Sequence, residues 1–440
     1  MTGAPISAGD TGWVLVSSAL VLLMIPGLAL FYGGLVRTRV VLNTMMMSFG
    51  ALAIVSVQWT LMGYSLAFGT GPGIGGMRWF GLAGVGAVPG PYSPTIPHIA
   101  FTMFQVMFAA ITVALISGAM VERIKFGTYL LFAAAWTTFV YDPVAHWVWA
   151  NDGWLHKLGA LDFAGGTVVH ITAGTAALMA ALVLGRRQTS GRSPAPPHNV
   201  VFTLMGAGLL WVGWLGFNAG SALAADGVAA NAIATTHAAA AAAVVAWMLL
   251  DYLRTGQATA VGAATGAVAG LVAITPAAGY VTPASALVIG GLGALAANVA
   301  IQLRDRLPVD DPLDVFACHG VAGIVGALLT GVFATTAVNA SGANGLIASG
   351  SPHLLWVQLL AVVCTIGFTV PVTGGIMLGL RALGSLRISL AHEATGVDLA
   401  EHGEYAYNGG SDLILSDGGA RAIEAAVLVS SATPVRAGAA

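Results

Sequence analysis

The chain has 440 residues, of which 57% are hydrophobic and only 8% are charged, and its formal net charge is -2. A soluble protein would carry about a quarter charged residues, so this composition excludes an ordinary soluble domain and indicates a polytopic membrane protein. The near-neutral charge gives no reason to expect a nucleic-acid partner. The two cysteines, Cys318 and Cys364, form neither a disulfide framework nor a metal-ligand pattern.

Charged residues divide the first part of the chain into apolar runs long enough to span a bilayer, which takes about 20 residues. The first run, 13–32, follows a start without a basic segment, so we predict a retained helix rather than a signal peptide. The five spans predicted here are 11–36, 40–77, one from about His98 to 121, one that follows Lys125 and stops near Pro143, and 162–186.

A polar connector rich in proline and serine, 186–198, marks a boundary between two halves of the chain. The spans predicted after it are roughly 199–219 and 229–250, two within 255–303 separated by Pro276 and Pro283, and two within 315–380 separated by a polar loop near 339–352. The predicted fold class is therefore an all-α integral membrane protein with eleven transmembrane helices.

An odd number of spans places the two termini on opposite sides of the membrane. With this arrangement 14 of the 16 lysines and arginines fall on one face, the exceptions being Arg78 and Lys157. The positive face is the cytoplasmic one, so we predict that the N-terminus lies outside and the C-terminus is cytoplasmic.

Eleven spans fit two inverted five-helix repeats plus a final helix. The predicted boundaries are 10–185 for the first repeat, 199–335 for the second and 354–382 for the eleventh helix. A cytoplasmic tail, 383–440, follows, and its Gly-, Ala- and Ser-rich end is predicted to be disordered beyond about 409.

Two histidines lie deep in apolar runs, and each follows an aspartate by eight residues: His170 follows Asp162, and His319 follows Asp311. An ionisable side chain inside a membrane is costly without a partner and usually marks a substrate or proton path. Inverted repeats would carry each histidine about 12 Å into its helix from opposite faces, so the two can meet near the midplane. A hydrogen bond that only packs two helices together is the alternative.

The aspartates have a simpler alternative interpretation. Asp162 precedes a helix and could be only its N-cap, or it could also place negative potential at the outer mouth of a pore. Asp310, Asp311 and Asp314, near the other face, are interpreted as caps and loop charges. His237 lies in an apolar run without a counterpart in the other half, and we interpret it as a packing or helix-interface histidine.

Aromatic residues cluster near the predicted outer face. Phe108 lies on the third span, Trp149 precedes Asp162, and Phe217 lies on the sixth span shortly before Ser221. Ring faces bind cations, an interaction worth about 2 kcal/mol or more when desolvated, and a hydroxyl adds an acceptor. An interfacial aromatic belt is the alternative, and it is the interpretation we favour for Trp154 and Trp211.

Several long motifs, in order along the chain, resemble the signatures of the Amt/Mep/Rh ammonium transporter family. They are PGLALFYGGLVR at 26–37, DFAGGTVVH at 162–170, WLGFNAGS at 214–221 and DDPLDVFACHG at 310–320. The resemblance extends from about Asp10 to Asn408, and the residues at Trp149 and Ser221 favour the microbial Amt branch.

This resemblance implies a homotrimer in the plasma membrane, with one narrow pore in each subunit. The roles that it implies are an outer ammonium site formed by Trp149, Phe108 and Ser221 and supported by Asp162, a gate formed by Phe108 and Phe217, and a pore lined by His170 and His319. Ammonium would lose a proton on entering the apolar pore, and ammonia would pass the histidines. Whether the proton follows, giving net charge transfer, is left open.

The segment GVDLAEHGEYAYN at 396–408 resembles the C-terminal region of the family, which couples subunits and in many bacteria docks a PII signal protein. The implied partners are ammonium or ammonia, with methylammonium as an analogue, and the lipid bilayer. No cofactor, metal or enzymatic activity is expected. The alternative function is an ammonium sensor that signals through its tail, but residues 409–440 are too short for a signalling domain.

Overall fold

The computed structural model describes residues 6–188, 196–304 and 306–407, and these ranges are helical apart from connecting loops and one short hairpin. The long helices are α1 (Ala8–Leu35), α2 (Val41–Gln58, the π-helical turn Trp59–Gly63 and Tyr64–Phe68), α3 (His98–Ile116), α4 (Phe126–Trp136, the π-helical turn Thr137–Tyr141 and Asp142–Trp149), α5 (the π-helical turn Gly166–Ile171 and Thr172–Leu184), α6 (Val200–Gly220), α7 (Gly227–Thr255), α8 (Ala260–Ile274), α9 (Pro283–Arg304), α10 (the π-helical turn Phe316–Val321 and Ala322–Phe333) and α11 (His353–Leu383).

Short elements complete the described part of the chain. They are the 3₁₀ turns Thr38–Val40, Phe80–Leu82 and Ser117–Ala119, the one-turn helices Trp154–Lys157 and Leu346–Ser349, the antiparallel strands β1 (Pro89–Gly90) and β2 (Ser93–Pro97), and the tail helices α12 (Leu390–Thr395) and α13 (Val397–His402). The disorder predicted beyond about 409 lies outside the described residues.

The helices have the length and composition of membrane spans. Within the described ranges, nine of them are long and apolar enough to cross a membrane. At 15 residues α8 is shorter, and α4 is not among the nine. The protein is an all-α integral membrane protein, as its composition predicted, whereas the count of eleven spans and the repeat boundaries stay predictions.

The fourth helix does not end where the sequence suggested. We predicted that it stops near Pro143, and this is wrong, because α4 continues to Trp149. Proline lacks a backbone N–H, and its ring displaces the carbonyl one turn earlier. Pro143 comes two residues after the π-helical turn Thr137–Tyr141, whose extra residue gives the helix room to continue past the ring.

The first helices of the two predicted repeats, α1 and α6, form the most extensive helix pair of the bundle. They approach closely at Gly27, where an added Cβ would lie 3.2 Å from the backbone nitrogen of Leu210. Such a distance forces neighbouring atoms to move, so the absence of a side chain at Gly27 is what permits this crossing.

The tail helices dock on the bundle end where α2 and α4 begin, which we call the tail end. The carboxylate of Asp398 accepts hydrogen bonds from the backbone N–H groups of Leu42 and Asn43, at 3.0 and 2.8 Å. The carboxylate of Glu401 accepts one from Phe126 at 2.8 Å. Acidic side chains therefore cap two helix N-termini that would otherwise have unpaired donors.

Buried charges connect the loops of the tail end. Arg187 forms ion pairs with Asp310 at 3.0 Å and with Glu122 at 3.5 Å. The guanidinium of Arg123 donates to the carbonyl oxygens of Ala119, Gly185 and Asp310. Burial raises the pKa of the Asp310 carboxyl, but the hydrogen bonds and positive charge of Arg187 outweigh that effect and hold the pKa below its usual value.

Replacing Asp398 by alanine should release the tail from the N-terminus of α2, because loss of an N-cap carboxylate costs about 1 kcal/mol. We expect faster backbone hydrogen exchange in α12 and α13 and unchanged exchange in α5 and α10, measured by mass spectrometry. Glu404→Ala, which alters an exposed carboxylate of the same tail, serves as the control. Equal exchange of the tail helices in both variants would contradict the capping role.

Candidate functional site

Asp162 lies just before α5 and caps its π-helical turn. One carboxylate oxygen accepts hydrogen bonds from the N–H groups of Gly165 and Gly166 at 3.0 and 2.6 Å, and the other accepts from Thr167 and Val168 at 2.9 and 3.0 Å. Gly165 has a φ of 103°, a conformation that favours glycine and turns the chain into the helix. Both carboxylate oxygens are therefore committed to backbone donors, as expected of an N-cap.

Asp162 is buried, with 7% of its surface exposed. Its four hydrogen bonds from backbone N–H groups favour the charged form of the carboxyl. The backbone carbonyl of Asp162 accepts a hydrogen bond from the indole nitrogen of Trp149 at 2.9 Å, so this residue orients an aromatic side chain as well as a helix.

The two predicted histidines meet. His170 lies on the π-helical turn of α5 and His319 on that of α10, and both are almost fully buried. Their Nδ1 atoms are 3.2 Å apart, and the rings are nearly parallel, at 27°. Because one Nδ1 must donate and the other accept, the pair shares a single proton between these two atoms.

Three glycines allow the histidines to come together. Gly174 of α5 lies against Gly320 of α10, and an added Cβ on Gly174 would lie 3.1 Å from the carbonyl carbon of His319. An added Cβ on Gly323 would likewise lie 3.2 Å from the Cβ of His170. The glycines that follow each histidine therefore permit the close helix approach that the hydrogen bond requires.

An unbroken column of aromatic rings leads to this pair. Trp149 meets Phe108 edge-on at 6.0 Å between ring centroids, and Phe108 stacks on Phe217 at 4.1 Å and 17°. Phe217 in turn lies 6.0 Å from the ring of His170. Phe108 and Phe217 are both at most 1% exposed, whereas Trp149 is half-buried at the end of the column.

A narrow cavity adjoins the histidines on the far side of the phenylalanine pair. Its volume is about 10 Å³, about the minimum that admits one water-sized molecule. Its walls are apolar apart from the two imidazoles and the indole, and are formed by Met24, Leu28, Phe31, Ile111, Leu115, His170, Leu210, Trp214, Phe217, Val268 and His319. Within the described residues the buried Nε2 atom of His170 has no hydrogen-bond partner.

Ser221 and the remaining candidates lie around this column. The hydroxyl of Ser221, one turn beyond Phe217 at the end of α6, donates to the Phe217 carbonyl at 3.0 Å. Trp154 packs against Trp147, and Trp211 lies 5.5 Å from the exposed ring of His237. These last residues are not part of the column.

The aspartates before α10 follow the sequence interpretation. Asp311 accepts a hydrogen bond from the N–H of Phe316 at 2.8 Å and so caps the π-helical turn. Asp310 pairs with Arg187, and Asp314 pairs with Arg304. The two histidine-bearing helices therefore begin in the same way, with an aspartate cap followed by a π-helical turn.

Trp214 also belongs to the site, although its sequence position had not predicted this. Its ring stacks on that of His170 at 5.2 Å and 23°, and its indole nitrogen donates to the hydroxyl of Thr275 at 2.8 Å. The spacing of Trp214 and Phe217 along one face of α6 was the available signal. Nothing in the sequence indicated that α6 turns this face toward α5.

Comparison with known proteins agrees with this architecture. A model of the Ammonium Transporter Family matches residues 12–407. An ammonium transporter of Bacillus subtilis is 49% identical over 401 residues, covering 91% of this chain and 98% of that relative. The crystal structure of Saccharomyces cerevisiae Mep2 is similar with a TM-score of 0.83 and 39% identity, covering 87% of this chain and 90% of that one. The structure of a Sensor Amt Protein is similar with a TM-score of 0.82 and 29% identity, covering 90% of this chain and 98% of that one.

Adding a methyl group to Gly174 should push α5 and α10 apart. We expect Gly174→Ala to lower the free energy of unfolding by about 1–3 kcal/mol, the usual cost of overpacking, and to lower the thermal midpoint of the detergent-solubilised protein. Gly379→Ala on α11, where an added Cβ would meet no atom within 4 Å, is the matched control and should be neutral. Equal thermal midpoints for Gly174→Ala and Gly379→Ala would contradict the requirement for a glycine at position 174.

Proposed function

The chain belongs to the ammonium transporter family, and from this premise we propose that it moves ammonium or ammonia across the membrane along the column from Trp149 to His319. The proposal is supported chiefly by one observation: a series of neighbouring aromatic rings leads from a half-buried tryptophan to a buried histidine pair at 3.2 Å.

The first step of the proposal is capture of the cation at Trp149, Phe108 and Ser221. Aromatic faces attract cations by about 2 kcal/mol or more where water is excluded. The half-buried Trp149 has its indole held by Asp162, and the hydroxyl of Ser221 can rotate to accept from ammonium. Asp162 acts indirectly, through its charge and its hold on Trp149, because its oxygens already bond backbone N–H groups.

The second step is transfer of a proton from ammonium to bulk water at the half-buried Trp149, before the gate of Phe108 and Phe217. The two rings are stacked at 4.1 Å, so a molecule passes only if they part. Beyond them the cavity is apolar, and desolvation disfavours the charged form of an amine by up to about 3–5 pKa units. Ammonia can therefore enter where ammonium cannot. Potassium has no proton to lose, so the pore would distinguish ammonium from potassium by deprotonation rather than by ion size.

The third step is passage along His170 and His319. Ammonia both donates and accepts hydrogen bonds, and the unpartnered Nε2 of His170 within the described residues is available to it. The shared Nδ1 proton keeps the two rings aligned along the path. If a proton also follows this route, transport carries net charge and is electrogenic, whereas ammonia alone crosses without charge. Recording current and internal pH together distinguishes these two modes.

The membrane arrangement belongs to the same proposal. We propose that α4 and α8 complete eleven spans in two inverted repeats, with the N-terminus outside and the tail end in the cytoplasm. The 14-to-2 distribution of basic residues and the tail helices at the start of α2 and α4 support this orientation. A plasma-membrane location follows from uptake of ammonium into the cell.

A homotrimer is also proposed. His237 is exposed on α7, a helix long and apolar enough to span the membrane, next to the half-buried Trp211. An imidazole facing lipid at this depth is costly, and a second copy of the chain would cover it. Docking of a PII protein on the tail end stays a prediction from the resemblance.

The transport experiment uses the protein in liposomes, with ammonium-evoked current and internal pH recorded together. We expect a pH response from the parent and at least a roughly tenfold slower one from His170→Ala and from His319→Ala, because each loses hydrogen bonds along the path. His353→Ala, at the exposed start of α11, is the control. No response from the parent would refute transport and favour the sensor alternative, and current in the parent alone would indicate proton movement through the pair.

A separate prediction concerns the outer site. Trp149→Leu should raise the half-saturation concentration for methylammonium uptake roughly 30-fold, since about 2 kcal/mol of cation–π attraction is lost. Trp356→Leu removes a tryptophan that is 63% exposed on α11 and should leave the value unchanged. Equal half-saturation in parent and Trp149→Leu would remove Trp149 from the cation site.

A further inference from the structure

The segment that carries Asp162 is anchored on both sides by groups outside it. On one side, the N–H of Leu161 donates to the side-chain oxygen of Gln358 and the carbonyl of Leu161 accepts from its side-chain nitrogen, both at 2.8 Å. On the other side, the N–H of Phe163 donates to the carbonyl of Pro276 at 3.1 Å. The backbone is thus fixed immediately before and after Asp162.

Gln358 is suited to hold a backbone in place. It lies on α11, is 1% exposed, and donates a further hydrogen bond to the carbonyl of Ala327 on α10 at 3.1 Å. Both amide hydrogens and the amide oxygen are therefore used, so the side chain has one favourable orientation. Exchange of two hydrogen bonds with a single residue is the pairing that a neighbouring strand would give.

This anchor is connected to the proposed cation site through one residue. The carbonyl that Gln358 holds belongs to the planar peptide group joining Leu161 to Asp162. The next carbonyl, that of Asp162, accepts the indole hydrogen of Trp149 at 2.9 Å. A rotation of the backbone at Leu161 would therefore turn the acceptor that orients Trp149 against Phe108.

We propose that Gln358 is a positioning residue of the outer site, which fixes the Trp149 ring through the backbone of Leu161 and Asp162. This inference rests on the proposed function for its effect on transport. Gln358 acts through the backbone of Leu161 and not by touching the transported cation. It ties the final helix, α11, which stands outside both predicted repeats, to the entrance formed by α3, α4 and α6.

The test is a double-mutant cycle in proteoliposomes with methylammonium as the probe, with rates normalised to inserted protein. Gln358→Leu should raise the half-saturation concentration roughly three- to tenfold, as expected for the loss of a buried hydrogen bond, and should change the maximal rate less. In the Trp149→Leu background the same substitution should add nothing, because residues that act through one another are not additive.

Asn298→Leu is the matched control. The Asn298 side chain is likewise buried and hydrogen-bonded, since its amide oxygen accepts from Arg254 at 2.6 Å and from Gln302 at 2.7 Å. It lies on α9, which among the described residues supplies none of the groups that hold Leu161, Asp162 and Phe163. We expect its half-saturation concentration to equal that of the parent. A purely structural role for Gln358 would instead lower the inserted amount or maximal rate of both variants and leave half-saturation unchanged.

Gln358→Glu keeps the proposal testable should the leucine variant fail to fold. A protonated glutamate can still donate to the Leu161 carbonyl, whereas an ionised one repels it. Half-saturation should therefore rise from acidic to alkaline pH relative to the parent profile. A profile parallel to that of the parent, or an additive effect in the Trp149→Leu background, would overturn the proposal.

Failure of the proposed function would be visible separately, as a parent that transports no methylammonium. In that case amide hydrogen exchange decides the positioning role. Faster exchange confined to residues 158–166 in the Gln358 variants, with exchange of the same residues unchanged in Asn298→Leu, would support it. Exchange equal to that of the parent would overturn it.

Discussion

The contact between Gly174 and Gly320 is the constraint on which the site depends. Two membrane helices can bring imidazoles to 3.2 Å only where neither backbone carries an intervening side chain. Once α5 and α10 touch there, each histidine has a partner that lowers the cost of its burial. The apolar cavity then lies against Phe217 and the histidine pair.

The membrane also explains how the helices begin. Water cannot pair the first N–H groups of a helix that starts inside an apolar layer, so the protein must supply the acceptors. Asp162 and Asp311 do so for α5 and α10. At the tail end, Asp398 and Glu401 accept from the first N–H groups of α2 and α4. An acidic cap therefore serves to build the proposed pore at two helices and to attach the tail at two others.

The backbone of Asp162 also links the proposed outer site to the last helix, α11. Asp162 satisfies the start of α5 with its side chain and orients Trp149 with its carbonyl, so the position of its backbone matters twice. Gln358 of α11 holds that backbone from the other side. The proposed cation site is thus the meeting point of helices from both predicted repeats and of α11, which stands outside them.

Composition, apolar run length and the aspartate-to-histidine spacing are local properties, and they were enough to predict the membrane class, most helix positions, the histidine pair and the aromatic candidates. The end of α4 was misplaced, since a π-helical turn before Pro143 leaves no sequence signal. That Trp214 stacks on His170 and that Gln358 holds Leu161 is visible only in the folded chain. These contacts join residues far apart in the chain, and the rotation of each helix about its axis, which brings such faces together, is set by packing against all its neighbours at once.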